Sequence, residues 1–148
     1  MPNSKIPLNI LLAEEDADDR LFFTKALSEI PIATRLTMVH DGEKLMNYLH
    51  RSSKQIPDII FLELNMRHKN GIEALSEIKE NEKLKNIAVV IFTISVTTRA
   101  TDLEKDLKDM LFKIGAASFI RKSSDIEQLK QGIHNELLKA IEKRARFV

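Results

Sequence analysis

The chain has 148 residues, 43% hydrophobic and 30% charged, with 23 Lys+Arg against 22 Asp+Glu, a formal net charge of +1, and no cysteine. That length suits one domain, here 1–148, with little room for two full cores, and the charge balance argues against nucleic-acid binding through a generalised basic surface. Without cysteine there are no disulfides, thiolate metal sites or thiol nucleophiles.

The first apolar run, Leu8–Ala13, reads as a strand; it ends at Glu14-Glu15-Asp16, which is not how a secretory segment ends. No stretch approaches the roughly 20 apolar residues of a membrane span, so a cytoplasmic protein with no membrane partner is expected. Phe23, Leu27 and Ile30 then share a helical face. The alternating run Ala33–Val39 suits an edge strand, and Asp41-Gly42 opens a short helix through Tyr48 and Leu49. Asp58–Leu62 and Ile87–Thr93 are continuous apolar runs, as in strands buried on both faces. Between them Ile72, Leu75 and Ile78 form a helical stripe, opened by the capping box of Asn70 with Glu73. Leu103, Leu107, Met110 and Ile114 make the next stripe, opened by Thr101 with Glu104 and closed by Gly115 as C-cap. Ala117–Arg121 is the last strand. Ser124 with Glu127 opens a final helix whose stripe is Ile126, Leu129, Ile133, Leu137 and Ile141, and whose Lys139, Lys143, Arg144 and Arg146 read as a solvated, dipole-favouring end.

Five strands alternating with five helices predict a doubly wound α/β fold, (βα)5, with a parallel sheet. In such sheets function gathers beyond the carboxyl ends of the strands. Those ends carry Glu14, Glu15 and Asp16; His40 and Asp41; Glu63 and Asn65; Thr93 and Ser95; and Arg121-Lys122-Ser123. Carboxylates this close repel unless a cation sits among them. Hard oxygen donors without His or Cys suit Mg²⁺, and a metal, a Thr hydroxyl and a Lys together describe a pocket for a phosphoryl group. His40, His50, His68 and His134 have no shared ligand spacing and predict no metal site.

Five segments in order, Ile10–Asp19, Asp41–Leu49, Pro57–Asn65, Val89–Thr93 and Gly115–Lys122, resemble the receiver domain of two-component response regulators, the single-domain kind associated with phytochromes above all. The resemblance implies a flavodoxin-like fold with strand order 2-1-3-4-5 and no output domain. It implies Mg²⁺ held by Glu15, Asp16, Glu63 and the Asn65 carbonyl, with Glu63 at the phosphoacceptor position. Thr93 then matches the switch hydroxyl, Phe119 the switch aromatic and Lys122 the phosphoryl-pairing lysine. The implied partners are a sensor histidine kinase or phosphotransfer protein and a downstream protein target. A homodimer through the fourth helix–fifth strand–fifth helix face is implied as well.

Three positions depart from that pattern. Glu63 replaces the acceptor Asp, moving the carboxylate outward by about 1.5 Å, an error that costs in-line chemistry on the order of 10²-fold. A permanent Glu carries one negative charge against roughly −1.5 to −2 for a phosphoryl group, so it mimics one only in part. Ser123 stands where the family has Pro; since a non-proline cis bond costs about 2.5–4 kcal/mol, Lys122–Ser123 should be trans. Arg67 adds a positive charge beside the pocket, on a loop expected to be exposed.

The expectation is a non-enzymatic signalling module acting by protein–protein interaction. It either still takes a phosphoryl group on Glu63 or a neighbouring acid, or is a pseudo-receiver held near one state. The alternative from another class is a Mg²⁺-dependent phosphotransferase or phosphatase using the same acidic rim. Against it, no strand is followed by the Asp-x-Asp that haloacid dehalogenase-type enzymes need.

Overall fold

A computed structural model of the chain describes residues 6–51, 56–93 and 102–146, with residues 102 and 103 described by backbone alone. The elements alternate throughout: β1 (Leu8–Ala13), α1 (Ala17–Ser28), β2 (Thr34–Val39), α2 (Gly42–Arg51), β3 (Ile59–Leu62), α3 (Gly71–Glu80), β4 (Ala88–Thr93), α4 (Asp102–Ile114), β5 (Ser118–Arg121) and α5 (Ile126–Arg146). All strand pairs are parallel, and the sheet runs β2-β1-β3-β4-β5. The doubly wound fold expected from the alternation is the one observed.

Period-two alternation sorts the strand residues onto two cores. Leu8, Ile10, Leu12, Phe61, Phe92 and Ile120 face α1 and α5, where Phe23 meets Phe61 and Phe92 edge-on at 5.0 and 5.5 Å. Leu11, Ala13, Ile60, Leu62, Val89 and Ile91 face α2, α3 and α4. The edge strand β2 is buried at no position.

Local signals act where the sequence places them, with three shifts. Asn70 and Glu73 form the capping box of α3, Asp41 accepts the Lys44 N–H at the start of α2, and Gly115 closes α4 with a φ of +134° that disfavours a side chain. In the α4 stripe Leu107 and Ile114 pack on the core as expected, but Leu111 is buried where Met110 is expected, and Met110 is 40% exposed. At α5 the cap is Asp125, which accepts the Glu127 N–H, while Ser123 accepts the Asp125 N–H. Arg144 is no solvated end. It donates to the Ile6 and Pro7 carbonyls and pairs with Asp58 at 2.5 Å, tying α5 to the amino edge of the sheet. Thr101, of the expected α4 capping box, and Ser95 lie outside the described residues.

Candidate functional site

The same alternation that builds the α1/α5 core continues past the strand ends and makes the pocket. Glu14 follows Leu12 by two, Glu63 follows Phe61 by two, and Lys122 follows Ile120 by two, so three polar side chains emerge on one face at the carboxyl edge of β1, β3 and β5. Their contacts centre on Lys122. Its Nζ lies 2.6 Å from Glu63 Oε1, 2.8 Å from Asp19 Oδ2 on α1, and 2.5 Å from Glu14 Oε1, the last an ion pair rather than an aligned hydrogen bond. The ammonium also sits 5.2 Å above the Phe92 ring, and its side chain is 8% exposed.

The second oxygen of Glu63 is equally committed. Oε2 accepts the N–H groups of Leu64 at 2.6 Å and Asn65 at 3.2 Å. The loop carrying these amides is pressed against α3: Gly71 donates to the Leu64 carbonyl, and a Cβ at Gly71 would meet the Glu63 carbonyl oxygen at 2.4 Å. Glycine is required there for close approach.

Burial holds the Glu14 carboxyl above its ordinary range, with the Lys122 ammonium and the Asp16 N–H pulling the other way. For Lys122, burial by itself would lower the pKa. The carboxylates of Asp19, Glu14 and Glu63 outweigh it and hold the ammonium above its usual range.

The sequence-predicted residues divide. Glu63 and Lys122 are brought into contact. Thr93 is fully buried at the end of β4, where its carbonyl accepts the Lys122 N–H at 3.0 Å. Phe119, half-buried, packs on the α2–α3–α4 side with Lys108 Nζ 5.3 Å from its ring. Asn65 presents its N–H to Glu63. The acid pair differs from expectation. Asp16 is the N-cap of α1, accepting the Asp19 N–H at 3.0 Å, and is exposed. Glu15 falls on the opposite side of the alternation and pairs with Arg67 at 2.8 Å. The acid that enters the pocket beside Glu63 is Glu14, pointed inward by the strand's own pleat. Asp19 was given no role in the sequence. Its position in the first turn of α1, within reach of Lys122, is a tertiary fact. The Lys122–Ser123 bond is trans, as the absence of proline predicts.

These positions decide how well the pocket suits the divalent ion implied by the resemblance. The donors are hard oxygens of the right chemistry, yet Glu14 and Glu63 are on Lys122, Glu15 is on Arg67, and Asp16 caps a helix. Among the described residues no group of three His, Asp or Glu side chains is placed to hold a metal ion. The expected quartet of Glu15, Asp16, Glu63 and Asn65 is therefore not assembled; the arrangement fits an ammonium.

A parallel 2-1-3-4-5 sheet with acids, a buried threonine and a lysine at its carboxyl edge defines a receiver-type signalling domain. Residues 10–134 match the response regulator receiver domain family, and the chain belongs to it, within two-component signalling. Among relatives, the response regulator Rcp1 of Synechocystis sp. is 35% identical over 96 residues, 62% of this chain and 65% of Rcp1, so the match spans just under two thirds of that protein. The phosphorylated cyanobacterial phytochrome response regulator RcpA superposes with a TM-score of 0.75 at 28% identity, covering 87% of this chain and 90% of RcpA. The Mn²⁺-bound form of Rcp1 does so with a TM-score of 0.73 at 28% identity, covering 87% and 91%. Among the described residues no helix is long and apolar enough to cross a membrane.

Proposed function

We propose that this chain is a receiver whose acceptor position is held by Glu63 and which acts near one state, by binding protein partners, with weak or absent phosphoryl transfer. The observation that carries this reading is the commitment of both Glu63 oxygens, one to the Lys122 ammonium and one to the Leu64 and Asn65 amides. An in-line attack needs a carboxylate oxygen free to face the donor. Glu63 instead gives Lys122 the anionic partner that a phosphoryl oxygen would otherwise be. The partners in this reading are a sensor histidine kinase or phosphotransfer protein, phytochrome-linked by similarity to RcpA, and a downstream protein. In this reading the α4–β5–α5 face is the surface for such a target or a second copy. Mg²⁺ enters only as a competitor of Lys122 and Arg67 for the same carboxylates.

Intact mass after incubation with Mg²⁺ and a small acyl phosphate tests this, with the native chain run beside Glu63→Asp. Labelling of Glu63→Asp alone is the expected result. A native chain that takes a phosphoryl group, lost in Glu63→Gln, overturns the reading.

A further inference from the structure

Lys122 has more carboxylate around it than pairing with one acid requires. Glu14 reaches it from the end of β1, Glu63 from the end of β3 and Asp19 from α1, at 2.5, 2.6 and 2.8 Å. An ammonium carries three protons and no acceptor, and here three carboxylates surround it. Glu14 and Glu63 are 1% and 4% exposed, so their mutual repulsion is poorly screened and something cationic must lie between them. A cation attached to the chain meets that need without drawing an ion from solution. A divalent ion entering the same space would have to shed water, which Mg²⁺ does reluctantly, and would face the ammonium as a like charge.

We propose that Lys122 is the resident counter-cation of this pocket and that Asp19 is the positioning residue that keeps it there, so that the site is neutralised from within and holds its shape without a divalent ion. The inference rests on reading this pocket as the receiver site. Asp19 acts through Lys122: its carboxylate, 2.8 Å away, draws the ammonium toward α1. Arg67 completes the arrangement by holding Glu15, at 2.8 Å, away from the cluster.

Mn²⁺ titration of the full chain, read by the paramagnetic resonance of free Mn²⁺, tests the proposal together with thermal unfolding in millimolar Mg²⁺. The native chain should leave Mn²⁺ free and its Tm unmoved. Lys122→Met leaves Glu14, Asp19 and Glu63 without their cation and should gain a metal response. Its Tm should rise by about 2–4 °C, the shift that roughly a five-fold excess of ion over Kd brings to a chain of this size. Asp19 has its own readout, the nitrogen resonance of the Lys122 ammonium. Protection from exchange should be seen in the native chain, lost in Asp19→Asn and restored in Asp19→Glu. Sub-millimolar Mn²⁺ binding by the native chain overturns the proposal, as does a folded Lys122→Met that ignores metal. An Asp19→Asn chain with an unchanged Lys122 signal removes Asp19 from it. If Lys122→Met does not fold with or without Mg²⁺, the native titration and the Asp19 pair decide. Labelling of Glu63→Asp together with Mn²⁺ binding by the native chain would leave the receiver reading standing and remove this one alone.

Discussion

Asp19 and Lys122 stand 103 positions apart in the chain and 2.8 Å apart in the fold. The contact exists because α1 leaves the carboxyl edge of β1 and passes across the face on which β5 delivers its lysine. It draws one helix and two strand ends onto a single ammonium.

Removing that ammonium should be costly. Lys122→Met leaves Glu14 and Glu63 buried without their counter-cation, a situation worth about 3–5 kcal/mol. In the folded state Lys122 titrates above its ordinary 10.5, so its contribution is whole below that value and is lost as pH rises through the higher folded pKa. Urea unfolding should show a constant gap between native and variant from neutral pH to about 10, closing above it. A gap that closes on the neutral side would contradict the assignment.

Arg67→Ala tests the loop pair with Glu15. The Arg67 side chain is 82% exposed, so stability should change by less than about 1 kcal/mol. What should change is the freedom of Glu15: the variant's Tm should respond to Mg²⁺ more than that of the native chain. Equal responses would show that Arg67 does not govern that carboxylate.

At the opposite end of the sheet, Arg144→Ala removes two donations to backbone carbonyls and the pair with Asp58. Charged hydrogen bonds of this kind carry about 1.5–3 kcal/mol each in favourable settings. A net loss of about 2 kcal/mol in urea unfolding is expected. Asp58→Asn should lose less, because an Asn oxygen can still accept the Asn9 N–H now bound at 2.8 Å.

Glu77 lies between Lys69 and His50. The hydrogen bond from Lys69, helped by His50, holds its carboxyl below the ordinary 4.5. Its contribution is therefore present above 4.5 and is lost as pH falls through the lower folded pKa. The stability difference between native and Glu77→Gln should shrink as pH falls below about 4.5. A difference that is independent of pH down to strongly acid conditions would mean that the pair adds nothing.

The fold was legible because its signals are local and redundant. Continuous apolar runs such as Ile59–Leu62 and Ala88–Thr93 leave a buried parallel strand as the economical reading, and Asn70, Asp41 and Gly115 mark helix ends by chemistry that works within one turn. One member of the α4 stripe differs, Leu111 in place of Met110, because both are apolar and only packing against the core chooses between them. The cap of α5 shifted from Ser124 to Asp125 for a similar reason: adjacent residues of equal capping ability compete, and the path of the chain leaving β5 selects one.

Chain order alone determined which strand ends carry acids, a threonine and a lysine, and hence that these groups converge on one edge of a parallel sheet. The pairing of Glu63 with Lys122 was implied by the resemblance to receiver domains rather than by chain order. What the sequence could not determine is which acid turns inward and what else arrives. Glu14 rather than Asp16 enters the pocket because the pleat of β1 runs one residue beyond the apolar run, while Asp16 is consumed as a helix cap. Asp19 reaches Lys122 because of the angle at which α1 crosses the sheet. Periodicity along a chain specifies which residues share a face, but the distance between faces of different elements is set by how their cores pack, and this pocket's charge balance is decided at that distance.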